Sequence, residues 1–289
     1  MDEVYFRGLR QGCVLELGGE ADLHGQFVIV SQTCDVVQPK RELIQISPLV
    51  QLDDVNARRG ALKRENPRYP LVSTEEDGKF ADLAQMFSVE KKSVQGVREV
   101  KTLSIADGYA AREFGLAVGR WFGRFAMPDE VQPWLAPVQE LIRSKHDKPT
   151  SALGQVLHEV TEIRVEAVSW EQGPFELVLH VIVHAGAVPS LHEDDSFPDL
   201  STFPSDLNVI CEQITREKDR VRLSMLWSLF AEKLAERCKP KQKFEDDPQV
   251  RDAVISVTGE LSSDDEFSLA KMRRSEQLDI DFLSDPVPY

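Results

Sequence analysis

Short apolar runs separated by turn residues fill the first hundred positions. Cys13-Val14-Leu15-Glu16-Leu17 predicts a short strand that ends at Gly18-Gly19. Phe27-Val28-Ile29-Val30 is continuously apolar, which predicts a strand buried on both faces. Residues 43–50 predict a third strand, and residues 80–86 and 88–94 weaker ones. Strands of this length at this spacing predict a small barrel. Residues 53–68 lack apolar periodicity and read as a basic loop.

A helical period then takes over. Ser104 or Asp107 can cap a helix running to about residue 125, with Tyr109, Phe114, Leu116, Val118, Trp121 and Phe122 as a broad apolar face. Met127-Pro128-Asp129 ends it. A second helix is predicted over 137–144, with Pro137 in its first turn. Residues 144–150, rich in Lys, His, Asp and Pro, are the best domain boundary.

Beyond it the pattern predicts a helix over 152–160 and strands over 162–170 and 175–184. Glu171-Gln172-Gly173-Pro174 joins the two strands as a hairpin turn. Residues 189–206 should be a loop, and 207–237 carry helical periodicity. A strand over 252–258 follows. Ser263, with Glu266 in the reciprocal position, should begin a last helix to about 274. In the tail, Leu278, Ile280, Phe282 and Leu283 dock on the chain's own core or on a partner. The fold class is α+β: a small N-terminal barrel over 1–103, a helical connector over 104–148 and an acidic α+β domain over 149–289.

Composition narrows the picture. The 289 residues are 42% hydrophobic and 29% charged, which excludes a disordered chain. The longest apolar stretch, 175–188, is interrupted by Glu176, His180 and His184, too polar to span a bilayer. No secretory signal is legible at the start, so a cytoplasmic protein is expected. The net charge is −15, unevenly spread. Residues 1–150 hold 20 Lys/Arg against 22 Asp/Glu, and 151–289 hold 14 against 27. The second half is therefore a poor match for phosphates. The first half has two basic clusters, Arg58/Arg59/Lys63/Arg64/Arg68 and Lys91/Lys92/Arg98/Lys101.

The most unusual local chemistry is Val30-Ser31-Gln32-Thr33-Cys34-Asp35, where a buried strand runs into a polar turn carrying a thiol and a carboxylate. Strand ends hold side chains firmly while the turn exposes them. Ser31, Cys34 and Asp35 are the candidate catalytic set. A thiolate nucleophile needs a base or a positive field, and a neighbouring carboxylate works against it. The alternative is that Cys34 packs inward while Asp35 caps the turn.

His180 and His184 share a face of their predicted strand and, with His192, Glu193, Asp194 and Asp195, form a weaker metal candidate. The four cysteines lack any C-x-x-C pairing, so no metal and no cofactor are expected. Phosphate-binding glycine loops, G-x-S-x-G and H-E-x-x-H are absent from the sequence.

Gly12-Cys13-Val14-Leu15, FVIVSQTCD, Ile46-Ser47-Pro48-Leu49 and the segments 81–86 and 89–92, taken together over residues 8–95, resemble the MazF/PemK toxin family. Gly12-Cys13-Val14-Leu15 is similar to the family's opening strand, and FVIVSQTCD to its strand ending in Ser before a polar turn. Ile46-Ser47-Pro48-Leu49 resembles the next strand's close. Ala81-Asp82-Leu83-Ala84-Gln85-Met86, followed by Val89-Glu90-Lys91-Lys92, resembles a further strand and turn. The resemblance implies an SH3-like barrel and a role in toxin–antitoxin or phage-defence systems of prokaryotes.

That family cleaves single-stranded RNA with an Arg before the Ser turn and a hydroxyl residue after the Pro. Here His24-Gly25-Gln26 has no Arg, and Leu49-Val50 no hydroxyl. The expectation is thus a non-catalytic or catalytically diverged binding protein. Gln32, Arg58, Arg59, Lys63, Arg64, Lys91 and Lys92 would contact a protein partner or single-stranded RNA. An oligomer is compatible with this reading. The alternatives are an endoribonuclease whose cation comes from Arg7, Arg10 or a loop arginine, or a hydrolase using Cys34.

Overall fold

A computed structural model describes residues 3–18, 24–64, 66–73, 78–102, 109–123, 125–146, 148–244 and 246–278. The fold is mixed α/β. It divides into two compact units, one made of the described residues up to 123 and the other of those from 125 onward.

The first unit opens with α1 (Glu3–Gly8), β1 (Cys13–Leu17), β2 (Gly25–Ile29), α2 (Thr33–Val37), β3 (Leu43–Val50) and α3 (Val55–Leu62). It continues with β4 (Leu71–Ser73), β5 (Lys79–Ala81), β6 (Phe87–Glu90), α4 (Lys91–Val94), β7 (Arg98–Thr102) and α5 (Tyr109–Gly123). Its strands form one curled antiparallel sheet in the order β4-β5-β3-β2-β1-β7, with β6 also paired to β3. The long strand β3 carries β2 on one side, while β6 at its start and β5 at its end share the other.

Period-two alternation assigns the two faces. Cys13, Leu15, Leu17, Phe27 and Ile29 pack with Phe6, Val36 and Val94 of the short helices and with Leu9 just after α1. Val14, Val28 and Val30 point the other way and pack on Phe114 and Val118 of α5. The continuous apolar run at 27–30 is therefore buried from both sides, as its pattern predicts.

The second unit holds α6 (Gln132–Lys145), α7 (Ala152–Leu157), β8 (Val160–Ala167), β9 (Phe175–Val183), α8 (Leu207–Ile214), α9 (Arg220–Ala235), α10 (Pro248–Arg251), β10 (Val254–Ser263), α11 (Leu269–Arg274) and β11 (Ser275–Gln277). Its sheet runs β10-β9-β8-β11, with β10 parallel to β9 and the other pairs antiparallel. One face carries the core, in which Leu135, Val138 and Ile142 of α6 meet Leu226, Phe230 and Leu234 of α9. A Cβ on Gly259 would lie 2.2 Å from the carbonyl of Ala231, so α9 rests directly on β10 there.

Several sequence expectations are revised. Residues 55–62 form a helix, because Asp54 caps it by accepting from Ala57 N at 2.7 Å. The weaker strands shorten to β5 and β6, and α4 follows the latter. The α6 helix starts five residues before Pro137, and Pro133 occupies its first turn instead. Residues 207–237 are two helices, since Asp219 starts α9 by accepting from Arg222 N at 2.8 Å. Ser263 belongs to β10, paired with Val183, and the last helix is capped by Ser268. Residues 104–148 are shared out: α5 packs in the first unit and α6 in the second. The caps Ser104 and Asp107, and the tail residues Ile280, Phe282 and Leu283, lie outside the described residues. Among the described residues no helix is long and apolar enough to cross a membrane.

Candidate functional site

The turn at 31–35 leaves the end of β2 and is fixed from several directions. Val30 N donates to Gln45 O at 2.9 Å, and Gln45 N donates back to Ser31 Oγ at 2.7 Å. Gln11 Nε2 donates to Val30 O at 2.8 Å, while Gln11 N donates to Thr33 Oγ1 at 3.2 Å. The turn then winds into α2, five residues long and too short to hold itself in water.

What closes α2 is Lys91. Its side chain is buried, and Nζ donates to Asp35 O at 3.0 Å and Gln38 O at 2.8 Å. Helix C-terminal carbonyls lack intrahelical donors and attract cations. The ammonium also lies 5.4 Å from the ring centroid of Phe6. Burial pushes the Lys91 ammonium below the ordinary lysine value, against the opposing pull of the Asp35 carboxylate.

Beside this turn lies an open cleft of about 940 Å³ within the first unit. One wall is the turn itself, Ser31 to Asp35, with Arg41, Leu43 and Gln45. The opposite wall is α5. Ala111, Gly115 and Gly119, spaced by four, bring its backbone close to the cleft, and Arg112, Leu116 and Phe122 flank them. Leu43, Leu116 and Phe122 are 54%, 50% and 61% exposed. Three large apolar side chains are thus exposed around one concavity.

Neither a protein-family model nor a curated protein matches the chain. The site is therefore read from its own geometry.

The structure places Ser31, Gln32, Cys34 and Asp35 together on the cleft wall. Their arrangement is not that of a nucleophile and its base. Ser31 Oγ is occupied by the Gln45 amide, and Cys34 Sγ faces Gln32 Oε1 at 3.6 Å. Asp35 Oδ1 sits 3.4 Å from Arg41 Nε. No histidine is among the described residues lining the cleft. The cationic side chains of the lining are Arg41 and Arg112, and Arg41 faces the Asp35 carboxylate.

The basic residues scatter. Arg58, Arg59 and Lys63 lie on or next to α3, outside the cleft lining, and Arg64 is paired with Glu113 of α5. Lys92 is exposed on α4. Lys91 is a correction: it points inward and serves the α2 carbonyls, so it is not a surface contact. Arg68 also turns inward, forking onto Asp82 with both bonds at 2.6 Å.

The histidine candidates separate too. His180 is buried between Glu166 and the Phe267 ring, His184 lies 3.6 Å from Asp264, and Asp195 is paired with Arg220. Among the described residues no three of His, Cys, Asp and Glu come together to hold a metal ion.

Sequence reasoning found the turn but missed the second wall. The signal was present in α5, whose apolar face is wider than the Phe114/Val118 stripe its core uses. The recurrence of Ala111, Gly115, Gly119 and Gly123 at every fourth position marks the same side.

Proposed function

We propose that the chain is a cytoplasmic binding protein whose first unit receives an apolar segment of a partner protein in the cleft between the 31–35 turn and α5. The observation that carries this reading is the exposure of Leu43, Leu116 and Phe122 around a concavity whose wall is cut low by Gly115 and Gly119. A partner side chain seated there would bury its own apolar surface together with theirs, each of these half-buried residues contributing about 1–1.5 kcal/mol when fully covered.

Protein is favoured over single-stranded RNA by the charges present. Arg41 and Arg112 are the cations of the lining, and Arg41 already faces Asp35. Single-strand sites combine a continuous cationic groove with several aromatic platforms. Here Phe122 is the aromatic residue and a carboxylate shares the wall.

We read the curled half-barrel as a diverged SH3-like barrel of MazF/PemK type, with the partner belonging to a toxin–antitoxin or phage-defence system. The position of the Ser31 turn at the end of a buried strand supports this, and the missing Arg and hydroxyl residues fit a barrel that binds without cleaving.

The test places a photo-crosslinking amino acid at Phe122 of the full chain in its native cell. A discrete protein adduct is expected, lost when Leu116→Asp is added. RNA adducts, or a protein adduct indifferent to Leu116→Asp, would overturn the reading.

A further inference from the structure

The outer face of the second unit's sheet carries a row of ionisable side chains. His180 of β9 is 1% exposed. Its Nε2 lies 2.9 Å from Glu166 Oε2 of β8, and its Nδ1 lies 3.3 Å from Glu260 Oε2 of β10, without hydrogen-bond alignment. The Phe267 ring meets the imidazole edge-on at 5.4 Å. Phe267 leads into α11, whose Lys271 and Arg274 reach the same two glutamates, and the helix is built inside out.

A surface helix ordinarily turns apolar residues to the core and polar ones to water. On α11, Leu269 and Met272 are 59% and 45% exposed, and the helix has no buried side chain. Its inward contacts are ionic and polar. Lys271 Nζ reaches Glu260 Oε2 at 2.7 Å, and Arg274 Nε reaches Glu166 Oε1 at 2.9 Å. Arg164 of β8 donates to the carbonyls of Met272 and Ser275. The two carboxylates that flank His180 from inside are thus the two that hold α11 from outside. Lys271 keeps the Glu260 carboxyl below the usual carboxylate range.

We propose that α11 is an ionic latch over His180, opening as a local unit when its charge pairs are screened or removed. Both ends of the segment are anchored independently. Upstream, β10 is paired along its length with β9. Downstream, β11 pairs with β8, and Leu278, buried, donates its amide to Ile163 O at 2.9 Å. Asp264 is still tied to β9, donating to Val183 O at 2.9 Å, so residues 265–274 can lift without the sheet separating, as locally weak segments do. Exposed ion pairs are weak one at a time and screened by salt. Two of them screened together predict a rise in opening of about 3- to 10-fold.

The test uses the full chain and diethyl pyrocarbonate, with modification of each histidine read by mass spectrometry. His158, exposed on α7's end, serves as the internal standard. Relative to it, His180 should react about 3- to 10-fold faster in 1 M NaCl than in low salt. Lys271→Met combined with Arg274→Met should give the fast rate already in low salt. Hydrogen exchange should rise over 265–274 and stay unchanged in β9. Salt-independent reactivity of His180, or exchange that rises equally in β9, would overturn the latch.

Discussion

Replacing Lys91 with methionine tests how the cleft wall is held. Methionine keeps the length and apolar stem but removes the ammonium that caps α2. Two charge-assisted hydrogen bonds to carbonyls are worth about 1.5–3 kcal/mol each in net terms. Against them stands the cost of keeping an ion out of water, several kcal/mol for a buried ammonium. If these were the whole balance, the substitution would be nearly neutral. The carbonyls decide the sign. Gln38 O keeps a second donor, Arg41 N at 3.2 Å, but Asp35 O loses its bond to Nζ. A carbonyl left without its bond inside the protein costs about 1–3 kcal/mol, and that is the expected loss at neutral pH.

In a unit of this size the loss lowers the first thermal transition by roughly 4 °C per kcal/mol. It should appear locally as faster hydrogen exchange over 33–38. The pH dependence has a definite sign. Burial places the folded-state value of Lys91 below that of an unfolded lysine. Between the two values the unfolded chain binds more protons, so wild-type stability rises with pH. The gap between wild type and Lys91→Met should be smallest at neutral pH and widen toward about pH 10. A variant as stable as wild type at pH 7, with unchanged exchange over 33–38, would refute the capping argument and leave Lys91 as a tolerated buried charge.

Asp82 offers the acid counterpart. Its carboxylate is 3% exposed and is held below the usual range chiefly by the hydrogen bonds from Arg68, against its own burial. Asp82→Asn should cost about 2 kcal/mol at pH 7, discounted because Arg68 is partly in water. That cost should shrink as pH falls through and below about 4, where wild type loses the same contribution; urea midpoints that stay equally far apart down to pH 2 would sink this account. For the cysteines, Cys34 is exposed while Cys13, Cys211 and Cys238 are buried, and burial pushes the Cys211 and Cys238 thiols up to about 12. Native protein treated with iodoacetamide at pH 8 should therefore gain one adduct, on Cys34, and rapid labelling of a second thiol would contradict the packing.

The parts of this fold that were legible are those whose signal is local. The run Phe27 to Val30 is apolar at every position because the curled sheet buries it against helices on both faces. The α5 face, with Phe114 and Val118, repeats at the helical period. The missed elements depend on a single capping atom or on distant pairing. The α3 helix buries Ala61 alone of its eight residues and stands on Asp54. The break between α8 and α9 stands on Asp219. The parallel pairing of β10 with β9 joins strands 70 residues apart, and nothing inside either strand specifies it.

The cleft follows the same division, and Lys91 shows why. Lys91 and Lys92 are adjacent, identical in type, and look from the sequence like one basic patch. Backbone geometry sends neighbouring side chains in different directions. At this point the inward direction meets the uncapped carbonyls of α2, while the outward one meets water. A charge count registers two cations, and only the fold decides that one of them holds the Ser31–Asp35 wall in place. The chemistry at the turn was readable because strand ends expose short polar side chains. The firmness of that wall was not, since its source lies more than fifty residues away in a lysine whose charge never reaches the surface. Under the proposed binding role, crosslinking from Phe122 should fall in Lys91→Met and stay unchanged in Lys92→Met.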